Sequence, residues 1–278
     1  MAATLYDPCF ALMMRRLEGH GVDATATVTL IAGFATLLAF PLVLALSGVM
    51  EWREIILVFA AIAFLAVCLL PKQDRIAPES ETCRNGSPFR IEIGPVLIAL
   101  AFGLIMMGHA ILLFLLPVVL ALGNDVGKMG IVAVAILGPA QIAGRLAWKA
   151  YGADYAPQFC AVSLFVVFCL PPVLLIMTGP STIMVYAALI VQGAGYGVHT
   201  ILRPVLARLY LPIEHLGRGF GYIATVGLVM MALGPALGGL VWSHTGFAGL
   251  MSCVLILNVF ALCLIVILSQ HKPDRGEP

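Results

Sequence analysis

The chain has 278 residues, of which 62% are hydrophobic and only 10% charged, with a mean hydropathy of +1.06. That leaves too little polar surface to wrap a water-soluble domain, so the class is a polytopic membrane protein with the lipid bilayer as its first partner. The formal net charge is +1 and the basic residues sit in short loops, which argues against a nucleic-acid partner.

A bilayer core of about 30 Å takes about 20 helical residues to cross. The first stretch, 1–17, is apolar up to Arg15 and Arg16 and too short to cross. Its charge follows the apolar run, where a signal peptide would carry it in front, so it reads as the cytoplasmic part of a partial span. Eight segments of crossing length follow, at 26–50, 54–70, 94–122, 127–148, 158–178, 182–207, 219–243 and 247–269. Four of the intervening turns are very short and force antiparallel neighbours. The one long polar stretch, 71–93, mixes Pro, Ser, Gly and both signs of charge and reads as a linker. The expected fold is therefore all-α: a membrane helical bundle of eight full transmembrane helices and one partial N-terminal helix. It is laid out as 1–70, a cytoplasmic linker 71–93, a six-helix bundle 94–270 and a cytoplasmic tail 271–278.

Alternate loops sort the charges. Arg15, Arg16, Lys72, Arg75, Arg84, Arg90, Arg145, Lys149, Arg203, Arg208, Arg218, Lys272 and Arg275 fall on one side, and only Arg53 and Lys128 on the other. The positive-inside rule then puts the linker and the C-terminus in the cytoplasm of a cell with the protein in its inner membrane, and Met1 outside.

Ionisable groups at membrane depth cost a few kcal/mol each, so each is a candidate site. Asp7 lies eight residues before Arg15, roughly 12 Å inside the boundary, and is the candidate proton-coupling carboxylate. In 182–207, Gln192, Tyr196, His199 and Arg203 recur at i, i+4, i+7 and i+11 and line one helical face. Gly193 and Gly197 form a small ridge beside them, which lets a neighbouring helix approach and turns the polar stripe inward. Arg203 and His199 suit an anion. Gln141 and Arg145 share a face of 127–148; Gln141 joins the substrate candidates, and Arg145 reads as a gate or dipole contact at the helix end. His109, mid-span in 94–122, is a further substrate candidate or an interhelical hydrogen bond, and Asn258 reads as structural. Gly227, Gly234 and Gly238, and separately Thr25, Thr29, Ala32 and Thr36, form small-residue stripes for close packing. The seven cysteines lack CxxC or Cys/His spacing; Cys68, Cys160, Cys169, Cys253 and Cys263 lie in apolar runs, so no metal or disulfide is expected, and no cofactor.

Several local patterns together resemble the major facilitator superfamily. Gly234-Pro235-Ala236-Leu237-Gly238-Gly239, with Trp242 and Thr245-Gly246 after it, is similar to the eleventh helix of that family and its exit turn. Gly138-Pro139 with Gly144-Arg145 and Gly152 is similar to the loop region after its eighth helix, although the full GxxxDRxGRR pattern is missing. Tyr6-Asp7-Pro8 with Arg15-Arg16 resembles the fourth helix of one bacterial branch. Phe40-Pro41 departs from the glycine-proline motif of drug/proton antiporters. The resemblance implies that the segments are helices four to twelve, with 1–70 the remnant of the first bundle (helices four to six), and that three helices are missing ahead of them. It also implies a secondary active transporter of a small solute by alternating access between two bundles. The interior residues, His109, His199 and Arg203 against the one carboxylate of Asp7, lean toward an anionic or organic-acid substrate, with a proton as candidate coupling ion. One alternative is a fragment without independent transport activity. Another is an intramembrane enzyme, disfavoured because GxSxG and HExxH are absent and the histidines are scattered; no GxxxxGK[ST] sequence points to ATP.

Overall fold

A computed structural model describes residues 9–10, 13, 21–69, 92–116, 118, 127–152, 154–212 and 215–271. In lipid each backbone N–H and C=O needs a partner within its own segment, and a chain this apolar meets that demand with helices. The described residues contain no strand. In chain order the helices are α1 (Gly21–Leu46), α2 (Trp52–Leu69), α3 (Ile93–Ala110), α4 (Gly127–Ala147), α5 (Pro157–Thr178), α6 (Thr182–Tyr210) and α7 (Leu216–Gln270). Two of them run on in wider π-helical turns, α3 through Ile111–Leu115 and α4 through Trp148–Gly152. Among the described residues four helices are long and apolar enough to cross a membrane: α3 with its π turn, α5, α6 and α7. The partial span 1–17, apart from residues 9–10 and 13, and the linker at 71–91 lie outside the described residues.

The 55 residues of α7 are two helices in one run. Gly246 interrupts it at φ 67°, ψ −159°, a conformation that side chains disfavour and glycine accepts, at the turn expected between 219–243 and 247–269. Gly179, at φ 69°, ends α5 in the same way: its N–H donates to Leu175 O at 3.0 Å, and Pro180 follows.

The chain divides into two compact units, one comprising residues up to Gly33 together with Phe89–Pro278, the other Phe34–Pro88. In the smaller unit α1 ends in a turn at Ser47–Met50, and Glu54 accepts the Glu51 N–H at 3.0 Å to start α2. Arg53 lies 4.5 Å over the Trp52 ring, the aromatic and cationic pairing typical of a membrane interface. Beyond it α2 exposes Ile56, Leu57, Ile62, Phe64, Leu65 and Val67, a surface that suits lipid.

In the larger unit α3 packs chiefly on α7 and α4 chiefly on α6, while α5 bridges α6 and α7; the α3–α6 seam is thinly packed. Glycines set the close pairs. A Cβ on Gly103 would sit 2.6 Å from Met230 Sδ, and one on Gly227 would sit 2.8 Å from Met106 Sδ, so the α3–α7 contact is a reciprocal pair of methionines seated on glycines. Further along, Gly234 faces the Met107 carbonyl and Gly238 faces Ile111. Between α4 and α6 the backbones themselves touch: Gly144 lies on the Ala194 carbonyl and Gly197 on the Gln141 carbonyl. In α1, Thr25 and Thr29 are buried and return their hydroxyl protons to the Gly21 and Thr25 carbonyls of their own helix.

Two apolar clusters fill the bundle. One gathers Phe102, Ile105, Phe165, Phe168, Ile201, Leu202, Phe220 and Ile265; the other gathers Ile111, Leu112, Leu175, Leu189, Leu250 and Val254. On three of the contributing helices buried polar residues lie between the two: His109 on α3, Gln192 and His199 on α6, Asn258 on α7. Asn258 has a specific task. Pro172 has no N–H to give to the carbonyl four residues back, that of Phe168, and Asn258 Nδ2 donates to that oxygen at 2.6 Å. The orphan left by a proline on α5 is thus satisfied from α7, which makes Asn258 a packing residue.

Candidate functional site

The polar layer is built on α6. Its polar stripe from Gln192 to His199 faces α3 because the adjacent ridge is occupied: Gly193 meets Ala140 and the Leu137 carbonyl, and Gly197 meets Gln141, all on α4. With α4 pressed against the glycines, Gln192, Tyr196, His199 and Arg203 are left pointing to the α3–α6 seam.

Across that seam the side chains pair one by one. Gln192 Nε2 lies 3.4 Å from His109 Nδ1, a contact in which that nitrogen accepts when the imidazole proton is on Nε2. The His109 ring stacks on Tyr196, with centroids 3.7 Å apart and planes 8° from parallel, and His199 stacks on Tyr196 in turn, at 5.0 Å and 11°. Phe102 and Phe168 close around His199 at 4.8 and 6.1 Å. Arg203 lies toward α3, its Nη1 donating to Met106 Sδ at 3.9 Å, a long contact to a weak acceptor. Arg203 and Arg145 both stand within electrostatic reach of Tyr196.

The cluster is deeply buried: His109 is 3% exposed, Gln192 1% and His199 2%. Among the described residues three of its atoms nevertheless find no hydrogen-bond partner, Gln192 Oε1 and both ring nitrogens of His199; the Phe102 backbone approaches the His199 ring without completing a bond. Each orphaned buried polar group costs about 1–3 kcal/mol, so the chain tolerates a penalty here that an apolar core would avoid.

The structure brings Gln192, Tyr196, His199, Arg203 and His109 together. Gln141 meets the group through its backbone carbonyl on Gly197. Arg145 is 7% exposed and lies inward of the helix end, because the π turn carries α4 on to Gly152; its guanidinium rests against Gly33 of α1. Arg145 stands in the last α-helical turn of α4 and is buried inside the unit. Asp7 lies outside the described residues. Phe102 and Met106 are site neighbours that the sequence reading passed over, although they stand at i−7 and i−3 from His109 and share its face. Among the described residues no group of three His, Cys, Asp or Glu could hold a metal ion.

Residues 98–278 match the family model described as Major Facilitator Superfamily. No curated protein matches the chain at a significant level.

Proposed function

This chain belongs to the major facilitator superfamily, a family of membrane transporters, and from that premise we propose that it carries a small anionic solute by alternating access. The observation that supports the reading most is the polar layer at His109, Gln192, Tyr196, His199 and Arg203, held between two apolar clusters. A buried layer of this kind is expensive in a membrane bundle and serves transport when it takes up solute. In the proposal Gln192, His199, His109 and Tyr196 contact the solute, Arg203 supplies the charge that selects an anion, Gln141 fixes the α4–α6 spacing, and Arg145 acts as a gate. Of the fourteen acidic residues, Asp23, Glu51, Glu54, Glu92 and Asp154 are described, all at helix ends or in turns, so the described interior leans cationic. Proton coupling through Asp7 rests on its sequence position. The proposal also places 94–270 as the solute-bearing bundle after a 1–70 remnant of the first bundle. The linker at 71–93 and the tail at 271–278 are cytoplasmic, in a cell inner membrane, by the distribution of Lys and Arg.

Binding tests the reading. With the full chain in lipid nanodiscs, thermal stability is measured against butyrate, butylamine and threitol. An acid that binds N alone adds about 2.7 kcal/mol at one hundred times its Kd, which is visible as a melting shift. Stabilisation by a carboxylate, lost in Arg203→Gln, is the expected result. Stabilisation by the amine instead, or an acid effect indifferent to Arg203→Gln, refutes it.

A further inference from the structure

We infer that the solute is a hydroxylated carboxylate of about four to six carbons, with its hydroxyls read by Gln192 and His199; this rests on the anion-site reading above. Gln192 Oε1 can only accept a hydrogen bond, and with Nε2 engaged on His109 it faces its surroundings without a donor. A neutral His199 offers one N–H and one acceptor nitrogen, and neither is used in a complete hydrogen bond. The missing partner must therefore give protons to two acceptors and be able to receive one. A hydroxyl both gives one proton and receives one, so two hydroxyls on one chain, one at Gln192 and one at His199, meet these needs. A hydroxyl also satisfies the Gln192 amide in either of its two flipped orientations, which a group that only donates, such as an ammonium, cannot do.

The length follows from the levels along α3. Arg203 Nη1 reaches Met106, and Gln192 reaches His109, three residues further on and so about 4.5 Å higher along the helix. A carboxylate on Arg203 and a hydroxyl at Gln192 thus fit on one short chain, with His199 beside it on the same face. The Phe102 ring beside His199 adds flat apolar surface for the C–H side of such a chain. A simple fatty acid would bind Arg203 and leave the three polar atoms buried and unanswered.

The experiment compares matched chains on the full protein in nanodiscs by calorimetry: threonate and gluconate, butyrate and hexanoate, threitol and sorbitol. Each hydroxy acid is expected to bind tenfold or more tightly than both its plain acid and its polyol. In Gln192→Leu the ratio of hydroxy acid to plain acid is expected to fall toward one, and His199→Phe to reduce it. Because each ratio is taken on one preparation, partial misfolding of a variant lowers the active fraction without changing it. Equal affinity for hydroxy and plain acids, both lost in Arg203→Gln, overturns the hydroxyl assignment and leaves the anion site standing. A hydroxy-acid preference unchanged in both variants overturns the assignment to Gln192 and His199. Failure of every acid to bind overturns this inference together with the anion-site reading.

Discussion

Replacing Asn258 by leucine removes the donor that serves the Phe168 carbonyl, whose own helical donor is missing because residue 172 is proline. Phe168 and Asn258 are both buried, and an unsatisfied buried acceptor costs about 1–3 kcal/mol, so Asn258→Leu should destabilise the bundle by about 2 kcal/mol. The geometry also names the rescue. Pro172→Ala restores a backbone N–H four residues after Phe168, and in that background the same Asn258→Leu change should cost at least about 1 kcal/mol less. The four proteins of the cycle, purified in bicelles, can be unfolded with SDS and followed by helical circular dichroism. An Asn258→Leu penalty equal in the proline and alanine backgrounds would refute the argument that Asn258 stands in for the missing N–H.

Glycines supply a test of opposite signs. A Cβ on Gly197 would lie 3.0 Å from Gln141 Cα, and one on Gly144 2.9 Å from Ala194 Cα, where carbon atoms need about 3.5–4.0 Å, so alanine at either site must push α4 and α6 apart and should cost about 1–3 kcal/mol. At Gly221 nothing lies within 4 Å, and alanine there should be neutral or stabilising by up to about 1 kcal/mol; melting of the three variants checks the order. Tyr210 Oη lies 3.1 Å from Leu268 O and 3.2 Å from His271 O and donates to these last carbonyls of α7, so Tyr210→Phe should cost about 0.5–1.5 kcal/mol and speed amide exchange selectively near Leu268. On the orientation proposed, single cysteines at Asp154 and His271 in a cysteine-free background react with an impermeant maleimide from the cytoplasmic side, and one at Ser181 from the outside; Asp154 and Ser181 reacting from the same side would refute the crossing of α5, and the two sides exchanged would refute the orientation.

Composition, helix spacing and punctuation by Gly and Pro were enough to read the membrane class, the helices and even the break at Gly246, because in lipid the backbone has almost no alternative to the helix and a glycine with positive φ is a local matter. The inward face of α6 was legible too, since the polar stripe and the glycine ridge lie on one helix at fixed angular spacing. Other features depend on residues far apart in the chain. Nothing in the sequence near Asn258 says that a proline on another helix has orphaned a carbonyl, and nothing near His109 says that Tyr196 will stack on it or that Gln192 will donate to its ring. Nothing near Arg145 says that its guanidinium will be buried against Gly33 of another helix. The order of polar groups along one helix is written in the chain; which helix comes to lie against which is decided by shape, by which glycines let backbones touch, and that is settled only when the bundle closes.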